Sequence, residues 1–368
     1  MPLSDAEPLE RLPLSARDPD ALELRALERA VRAEPDATNV RTALARKCIE
    51  LYRKRSDPRY LGRAEAALGA AFTADSPPSE VRLLRAVLHQ SNHDFGAALA
   101  DLDVVVADRP GDPQPWLVRA VVLGVLGRYV DAERDCERTR VLAGPLVGAV
   151  CLATPLGMTG RGERARVALL AALGANRRGG ASERAWALSA LAELEARLGN
   201  GDEATAHFEA ARALEPDDAY TLAAFADLLL DRGETERAAA LLRGYERIDA
   251  LLLRLALAEQ RLGLATANER ATELGARYEA ARLRGDVTHR REESRYRLEL
   301  AHDARGALTL ARANWDVQHE YGDARALLEA ALAAHDPGAA QPVVDFMQNT
   351  GLREPRLLAL LERLKGAS

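Results

Sequence analysis

The sequence predicts an all-α protein in which antiparallel helix pairs stack side by side as a solenoid. Ala, Leu, Arg and Glu dominate its 368 residues, and only 4% are aromatic, a composition that favours helices over strands. Small residues recur at a nearly constant spacing, and Gly or Pro interrupts the helical pattern between them. The length would suit two or three globular domains or one repeat array, and these patterns favour the array.

The repeat is marked by an alanine that follows each turn. Successive copies lie 33 or 34 residues apart, except for a step of 39 across an insertion that begins at Asn176 and a step of 69 across one weak unit. This period is typical of stacked helical hairpins, in which only small side chains fit where two helices approach closely. The marker alanines are Ala64, Ala98, Ala132, Ala165, Ala204, Ala238, Ala307 and Ala340.

Further features place the two helices of each pair. A second small residue precedes the turn, as at Ala120 and Ala192, and an apolar anchor follows each marker alanine by four residues, as at Leu102 and Phe208. That spacing puts marker and anchor on one buried stripe of a helix. Glycine stands where most first helices stop, and proline ends some of the second helices, as at Pro216.

The pattern divides the chain into five segments. Because a stacked array must cover both of its ends, a capping helix is expected at each end of the repeats. The segments are an extended or disordered stretch at residues 1–19, a capping helix at 20–36, repeats at 37–246 with an insertion near 176–182, degenerate helical repeats at 247–350, and a C-terminal capping helix at 351–368.

These motifs resemble the tetratricopeptide repeat family. The matching residues are Trp116 and Ala120 in one repeat, and Leu191, Ala192, Gly199, Ala204, Phe208, Ala211 and Pro216 in another. The resemblance implies a right-handed superhelix whose first helices line a concave groove for a peptide or protein partner. The positions that it implies for the groove are Leu117, Val121, Val125, Trp186, Glu193, Arg197, Tyr220, Asp227, His289 and Tyr296.

Charge and motifs argue against several other functions. The formal net charge of -6 disfavours a nucleic-acid partner, which needs clustered positive charge. No catalytic constellation is visible, so we expect neither enzymatic activity nor a cofactor. His89 and His93 are spaced i, i+4 on one helix, but no third ligand is evident nearby, so no metal site is expected. No apolar run is long enough for a transmembrane helix.

Two features bear on the cellular compartment. Cys136 and Cys151 lie at similar distances on either side of the turn between two antiparallel helices, so either a disulfide or two buried thiols would fit. A disulfide would imply an oxidising compartment. The segment LERLP, Leu9 to Pro13, resembles a bacterial group of exported tetratricopeptide proteins, which implies a periplasmic or exported scaffold of the cell envelope. The alternative is a cytoplasmic peptide-sensing or assembly regulator built on the same array.

Overall fold

A computed structural model describes residues 18–176 and 179–366. Within these residues every regular element is a helix, so the all-α fold class is confirmed. Most of the predicted extended segment at 1–19, including LERLP, and residues 177–178 of the predicted insertion lie outside the described residues. The helices are α1 (Pro19–Ala33), α2 (Thr38–Arg55), α3 (Arg59–Leu68), α4 (Ala70–Thr73), α5 (Ser79–Ser91), α6 (Phe95–Asp108), α7 (Pro113–Val125), α8 (Tyr129–Ala143), α9 (Pro145–Met158), α10 (Gly162–Ala175), α11 (Ala181–Leu198), α12 (Gly201–Leu214), α13 (Ala219–Asp231), α14 (Thr235–Leu242), α15 (Asp249–Arg261), α16 (Thr266–Leu283), α17 (Arg290–Glu299), α18 (Ala304–Trp315), α19 (Tyr321–Ala333), α20 (Gln341–Thr350) and α21 (Pro355–Gly366), with a short 3₁₀ helix at Pro337–Ala340.

The chain divides into two compact units, and the first runs to Leu88. In this unit α1 packs on α2, and α2 packs on α3. Lys47 of α2 is buried and contacts Asp20 and Glu23 of α1 as well as Glu50 of its own helix. Burial lowers the pKa of Lys47, but these carboxylates outweigh it and raise the pKa above its ordinary value. The buried ammonium group therefore stays charged and ties α1 to the helix pair that follows.

The second unit, from His89 onward, consists of helix pairs. Residues at the ends of these helices explain where the helices start and stop. At the start of α7, the Asp112 side chain accepts a hydrogen bond from the Gln114 amide at 3.0 Å, and Pro113 is the first helical residue. Both features favour helix initiation, because the cap satisfies a free amide and proline lacks one. At the end of α11, Gly199 adopts a φ of 87°, the left-handed conformation that commonly closes a helix.

The marker alanines lie where paired helices touch, and all eight are buried. The weak unit, α15 with α16, has no marker alanine. Its buried stripe is instead Leu274, Tyr278 and Ala281, which repeats the i, i+4, i+7 pattern of the other second helices. Leu274 lies 36 residues after Ala238 and 33 before Ala307. A leucine therefore occupies the marker position, and the repeat continues through the unit that accounts for the step of 69.

The C-terminal elements of the second unit run across the turns of its earlier helix pairs. We call residues 319–356 the C-terminal strap. The His319 amide donates a hydrogen bond to the Val125 carbonyl at the end of α7, at 2.7 Å. The Tyr129 hydroxyl donates to the His319 carbonyl, also at 2.7 Å. The Phe346 ring lies 6.1 Å from the Tyr129 ring in an edge-on arrangement. The strap is therefore fastened to the turn between α7 and α8.

The strap then reaches two further turns. Gly160, between α9 and α10, lies so close to the strap that a Cβ there would be 2.5 Å from the Gly351 carbonyl oxygen. At the end of α13, Asp231 pairs with Arg325 at 2.7 Å, and its backbone carbonyl accepts a hydrogen bond from Arg356 at 3.2 Å. Helix pairs that are far apart along the chain are thereby joined by one C-terminal segment.

Candidate functional site

Three apolar side chains on first helices of the second unit face solvent. Val121 of α7 is 42% exposed, Trp186 of α11 is 40% exposed and Tyr220 of α13 is 64% exposed. Large apolar side chains that share an exposed face commonly mark an interaction surface. Leu117, one turn before Val121, is only partly buried and packs against the core of the neighbouring helices. Val121, Trp186, Tyr220 and the charged residues Glu193 and Arg197 form what we call the open face.

Glu193 and Arg197 continue the stripe of α11 that begins at Trp186, at i+7 and i+11. Glu193 is partly buried, and this burial raises the pKa of its carboxyl group. The Tyr220 hydroxyl is within hydrogen-bonding reach of that carboxylate, whose charge raises the pKa of Tyr220 well above its ordinary value. The Nε atom of Arg197 is buried and has no hydrogen-bond partner among the described residues. A charged centre with unused hydrogen-bonding capacity therefore lies beside the exposed aromatic rings.

Asp227, which was predicted to line the groove, is paired within the chain. Its carboxylate lies 2.6 Å from Arg254 of α15 and also contacts Arg295 of α17. Burial alone would raise the pKa of Asp227, but the two guanidinium groups hold it well below its ordinary value. An external ligand would have to compete with both arginines, so Asp227 is not part of the open face.

Three other predicted groove residues also make contacts inside the chain. The Val125 carbonyl accepts a hydrogen bond from the strap. The Tyr296 ring packs 5.4 Å from the Tyr278 ring against the core of α15 and α16. His289, just before α17, lies 3.7 Å from the Asp286 carboxylate. Of the ten predicted groove positions, Glu193, Arg197 and Tyr220 lie close to one another, and Val121 and Trp186 are exposed on first helices of the same unit.

Comparison with solved structures identifies the architecture. The human IFIT1 dimer with PPP-AAAA is 14% identical to this chain, and the match covers 95% of each chain with a TM-score of 0.50. The thermophilic TPR protein TTC0263 of Thermus thermophilus is 19% identical over 53% of this chain and 100% of its own, with a TM-score of 0.42. A tetratricopeptide repeat protein from Parabacteroides merdae is 15% identical over 78% and 98% of the two chains, with a TM-score of 0.39. The chain has the tetratricopeptide repeat fold. No protein-family model and no curated protein matches the sequence.

The tetratricopeptide array brings two further charged residues to the open face that the sequence analysis did not single out. Arg291 of α17 lies 3.3 Å from Glu320. Burial is the main cause of the raised pKa of Glu193, but Glu320 raises it further and Arg291 lowers it. Arg291 and Glu320 belong to units in which the repeat pattern is weak, so the sequence did not show which positions of a repeat they occupy. Packing between helices that are far apart in sequence places Arg291 and Glu320 near Glu193.

Cys136 and Cys151 form a disulfide between α8 and α9 in the structure, with their Cα atoms 5.3 Å apart. That separation is within the usual range for a disulfide. Cys48, in the first unit, is a buried free thiol, and burial raises its pKa to about 11. The thiol of Cys48 is therefore protonated and unreactive near neutral pH. The bond between α8 and α9 fixes the repeat that carries Val121 to the one that follows it.

The described residues contain no group of three or more His, Cys, Asp or Glu side chains arranged to hold a metal ion. His89 lies 3.6 Å from the Asp94 carboxylate, whereas the His93 ring stacks on Phe95. The two histidines thus have different neighbours rather than a shared ligand position. In the same part of the chain, no helix has the length and hydropathy needed to span a bilayer.

Proposed function

We propose that this tetratricopeptide array is a non-catalytic scaffold that binds an extended segment of a peptide or protein partner on its open face. The observation that carries the proposal is the exposure of Val121, Trp186 and Tyr220 on one set of first helices. Aromatic side chains of this kind are frequent energetic anchors of protein interfaces. Glu193 and the partly unsatisfied Arg197 would add polar contacts that fix the orientation of the bound segment.

Ion pairs within the array leave only a narrow strip of side chains for a ligand. Asp227 pairs with Arg254 and Arg295 between α13, α15 and α17, so its carboxylate is engaged within the chain. An extended chain can follow such a strip and place alternate side chains against Trp186 and Tyr220. We therefore favour a segment with aliphatic or aromatic side chains and a charged group that can pair with Arg197 or Glu193.

The proposal places the protein in the bacterial cell envelope, in the periplasm or exported. An oxidising compartment preserves disulfides, whereas cytoplasmic reductants keep thiols free. The disulfide between Cys136 and Cys151 supports the first setting. Rapid alkylation of the protein in its own cells distinguishes the alternatives: one reactive thiol after denaturation supports the envelope, and three support a cytoplasmic peptide-sensing or assembly regulator.

A random peptide library displayed on phage tests the binding proposal. The full chain should select peptides with a shared apolar motif. A Trp186→Ala, Tyr220→Ala double variant should bind these peptides about 30-fold more weakly, since each side chain is an interface anchor. The matched control is Val167→Ala with Leu170→Ala, which removes two exposed apolar side chains from the second helix α10.

The control should bind the selected peptides as tightly as the parent protein does. Equal affinity of the parent and of the Trp186→Ala, Tyr220→Ala variant would remove the open face as the binding site. Single-stranded RNA oligonucleotides form a separate arm of the measurement. Binding of RNA, without any peptide selection, would contradict the peptide assignment.

A further inference from the structure

Glu193 is a carboxylate of the open face that makes no ion pair within the described part of the chain. Its side chain is partly buried on α11, and the Tyr220 hydroxyl of α13 lies within hydrogen-bonding reach. Arg197 follows one turn later on α11, a spacing that allows an ion pair. Its guanidinium carbon instead lies 4.0 Å from the place that a Cβ on Gly157 of α9 would occupy. Arg197 therefore packs toward α9, and the Glu193 carboxylate can accept an external cation.

The surroundings of Glu193 carry more negative than positive charge. Arg197 and Arg291 are the cations that act on Glu193. Arg291 is itself shared among three carboxylates, each with an oxygen 3.3 Å from a guanidinium nitrogen: Glu292, Glu320 and Asp323. The ion pairs behind this group are balanced, with two guanidinium groups and two carboxylates: Arg254, Arg295, Asp227 and Glu299. Together with Glu193, four carboxylates therefore face two guanidinium groups, and a cation bound there lowers the electrostatic free energy.

The Tyr220 ring offers a second contact for the same cation. Tyr220 is 64% exposed, although its hydroxyl is within reach of the Glu193 carboxylate. An aromatic face attracts a cation that lies within about 6 Å of its centre. A planar guanidinium group can stack on such a ring while its edge donates to a carboxylate, whereas the compact ammonium group of a lysine lacks the flat surface for stacking. The ring and the carboxylate together favour arginine.

We propose that the segment bound on the open face carries an arginine, whose guanidinium group stacks on Tyr220 and pairs with Glu193. This inference rests on the proposed function, because it names the chemistry of the partner at that face. Trp186 lies two turns before Glu193 on α11, roughly 10 Å away along the helix axis, so apolar residues beside the arginine can reach it. An acidic segment is disfavoured, because its carboxylates would meet the excess of negative charge around Glu193.

Binding of three synthetic peptide pools to the full chain tests the inference. The pools are random in uncharged residues except at one central position, which holds arginine, its neutral isostere citrulline, or glutamate. The arginine pool should bind about tenfold more tightly than the citrulline pool, because citrulline loses the charge-assisted hydrogen bond, and the glutamate pool should bind most weakly. If none of the pools binds, the proposed function fails and this inference fails with it. If the citrulline or glutamate pool binds as tightly as the arginine pool, only the inference is overturned.

A substitution at Glu193 locates the arginine on the protein. Glu193→Gln keeps an oxygen for the Tyr220 hydroxyl and should reduce the preference for arginine over citrulline from about tenfold to about twofold. The matched control is Glu203→Gln, which removes an exposed glutamate from α12, the second helix of the same pair, and should leave the preference unchanged. Melting temperatures close to that of the parent confirm that both variants are folded. An unchanged preference in Glu193→Gln would overturn the assignment.

Two substitutions at Tyr220 separate its ring from its hydroxyl. Tyr220→Phe keeps the aromatic face and should retain most of the preference for arginine. Tyr220→Leu keeps an apolar side chain without that face and should reduce the preference about fourfold, which is the usual size of an exposed cation–π contact. Equal preferences in the Phe and Leu variants would show that the guanidinium group does not stack on Tyr220.

Discussion

At the scale of single residues, Asp323 is an unusual carboxyl group because it is fully buried at the start of α19. It accepts hydrogen bonds from the Asn314 side chain and from the Glu320 amide, each at 2.8 Å. Burial raises the pKa of Asp323 from 3.8 to about 6, although Arg291 acts against this. The folded protein therefore keeps a proton on Asp323 at pH values where the unfolded chain has already lost it.

This difference predicts a pH dependence of stability. Between about pH 4 and pH 6 the unfolded state binds fewer protons at this position, so the free energy of unfolding falls as the pH rises, by about 3 kcal/mol in total. Asp323→Asn, which keeps the shape and an acceptor oxygen, should flatten the curve in this window. Denaturant unfolding at several pH values measures the effect. Asp202→Asn, at an exposed carboxylate, is the control, and an unchanged curve for Asp323→Asn would contradict the prediction.

At the scale of elements, the disulfide joins α8 to α9 across 15 residues of chain. A cross-link of this loop length stabilises a protein by about 3 kcal/mol, mainly because it restricts the unfolded chain. Reduction of the parent protein should lower the free energy of unfolding by this amount in a denaturant titration. The double variant Cys136→Ala, Cys151→Ala should lose at least as much, because both sulfur atoms also leave the core.

The difference between these two losses of unfolding free energy separates the effect of the cross-link from the effect of removing the two buried sulfur atoms. The reductant should not alter the stability of the double variant, which retains only Cys48. Thiol labelling of the unreduced parent in denaturant should detect one group. Detection of three groups would show that Cys136 and Cys151 are free.

At the scale of the whole second unit, Gly160 tests whether the strap is closely docked. Gly160 has a φ of 70° and faces the Gly351 carbonyl, whereas Gly233 has a φ of 74° with no atom near its missing Cβ. Substitution of either glycine by Ala strains the left-handed backbone by about 1 kcal/mol. Gly160→Ala should destabilise the protein by a further 1–3 kcal/mol, roughly the cost of overpacking, because a backbone atom must move. Equal free energies of unfolding for the two variants would show that the strap does not press on this turn.

The sequence predicted the helix pairs because their contacts are local and periodic. The small residues at Ala120 and Ala192 and the anchor at Phe208 are buried as expected. The weak unit was harder to place, since Leu274 occupies a position where the pattern requires alanine. A larger side chain at the contact between two helices hides the repeat in the sequence, although the two helices still pair.

The open face was predictable only in part, for a related reason. Trp186 and Tyr220 belong to regular repeats, so their register placed them on an exposed face. Asp227 belongs to a regular repeat too, but its partners Arg254 and Arg295 come from later units. Spacing along one helix cannot show which distant side chain will neutralise a carboxylate. The strap was not predicted, because no periodicity relates His319 to the turn at Tyr129.

The strap also changes how the second unit is expected to fold. Most contacts in a repeat array join neighbouring units, so such arrays can open from one end in steps. Here the Tyr129 hydroxyl binds a carbonyl 190 residues away, and closing so long a loop is costly in chain entropy. Contacts between residues far apart in sequence slow folding. They also couple the stability of the pair α7 and α8 to that of the C-terminal helices, so this part of the second unit should lose its structure in one cooperative transition.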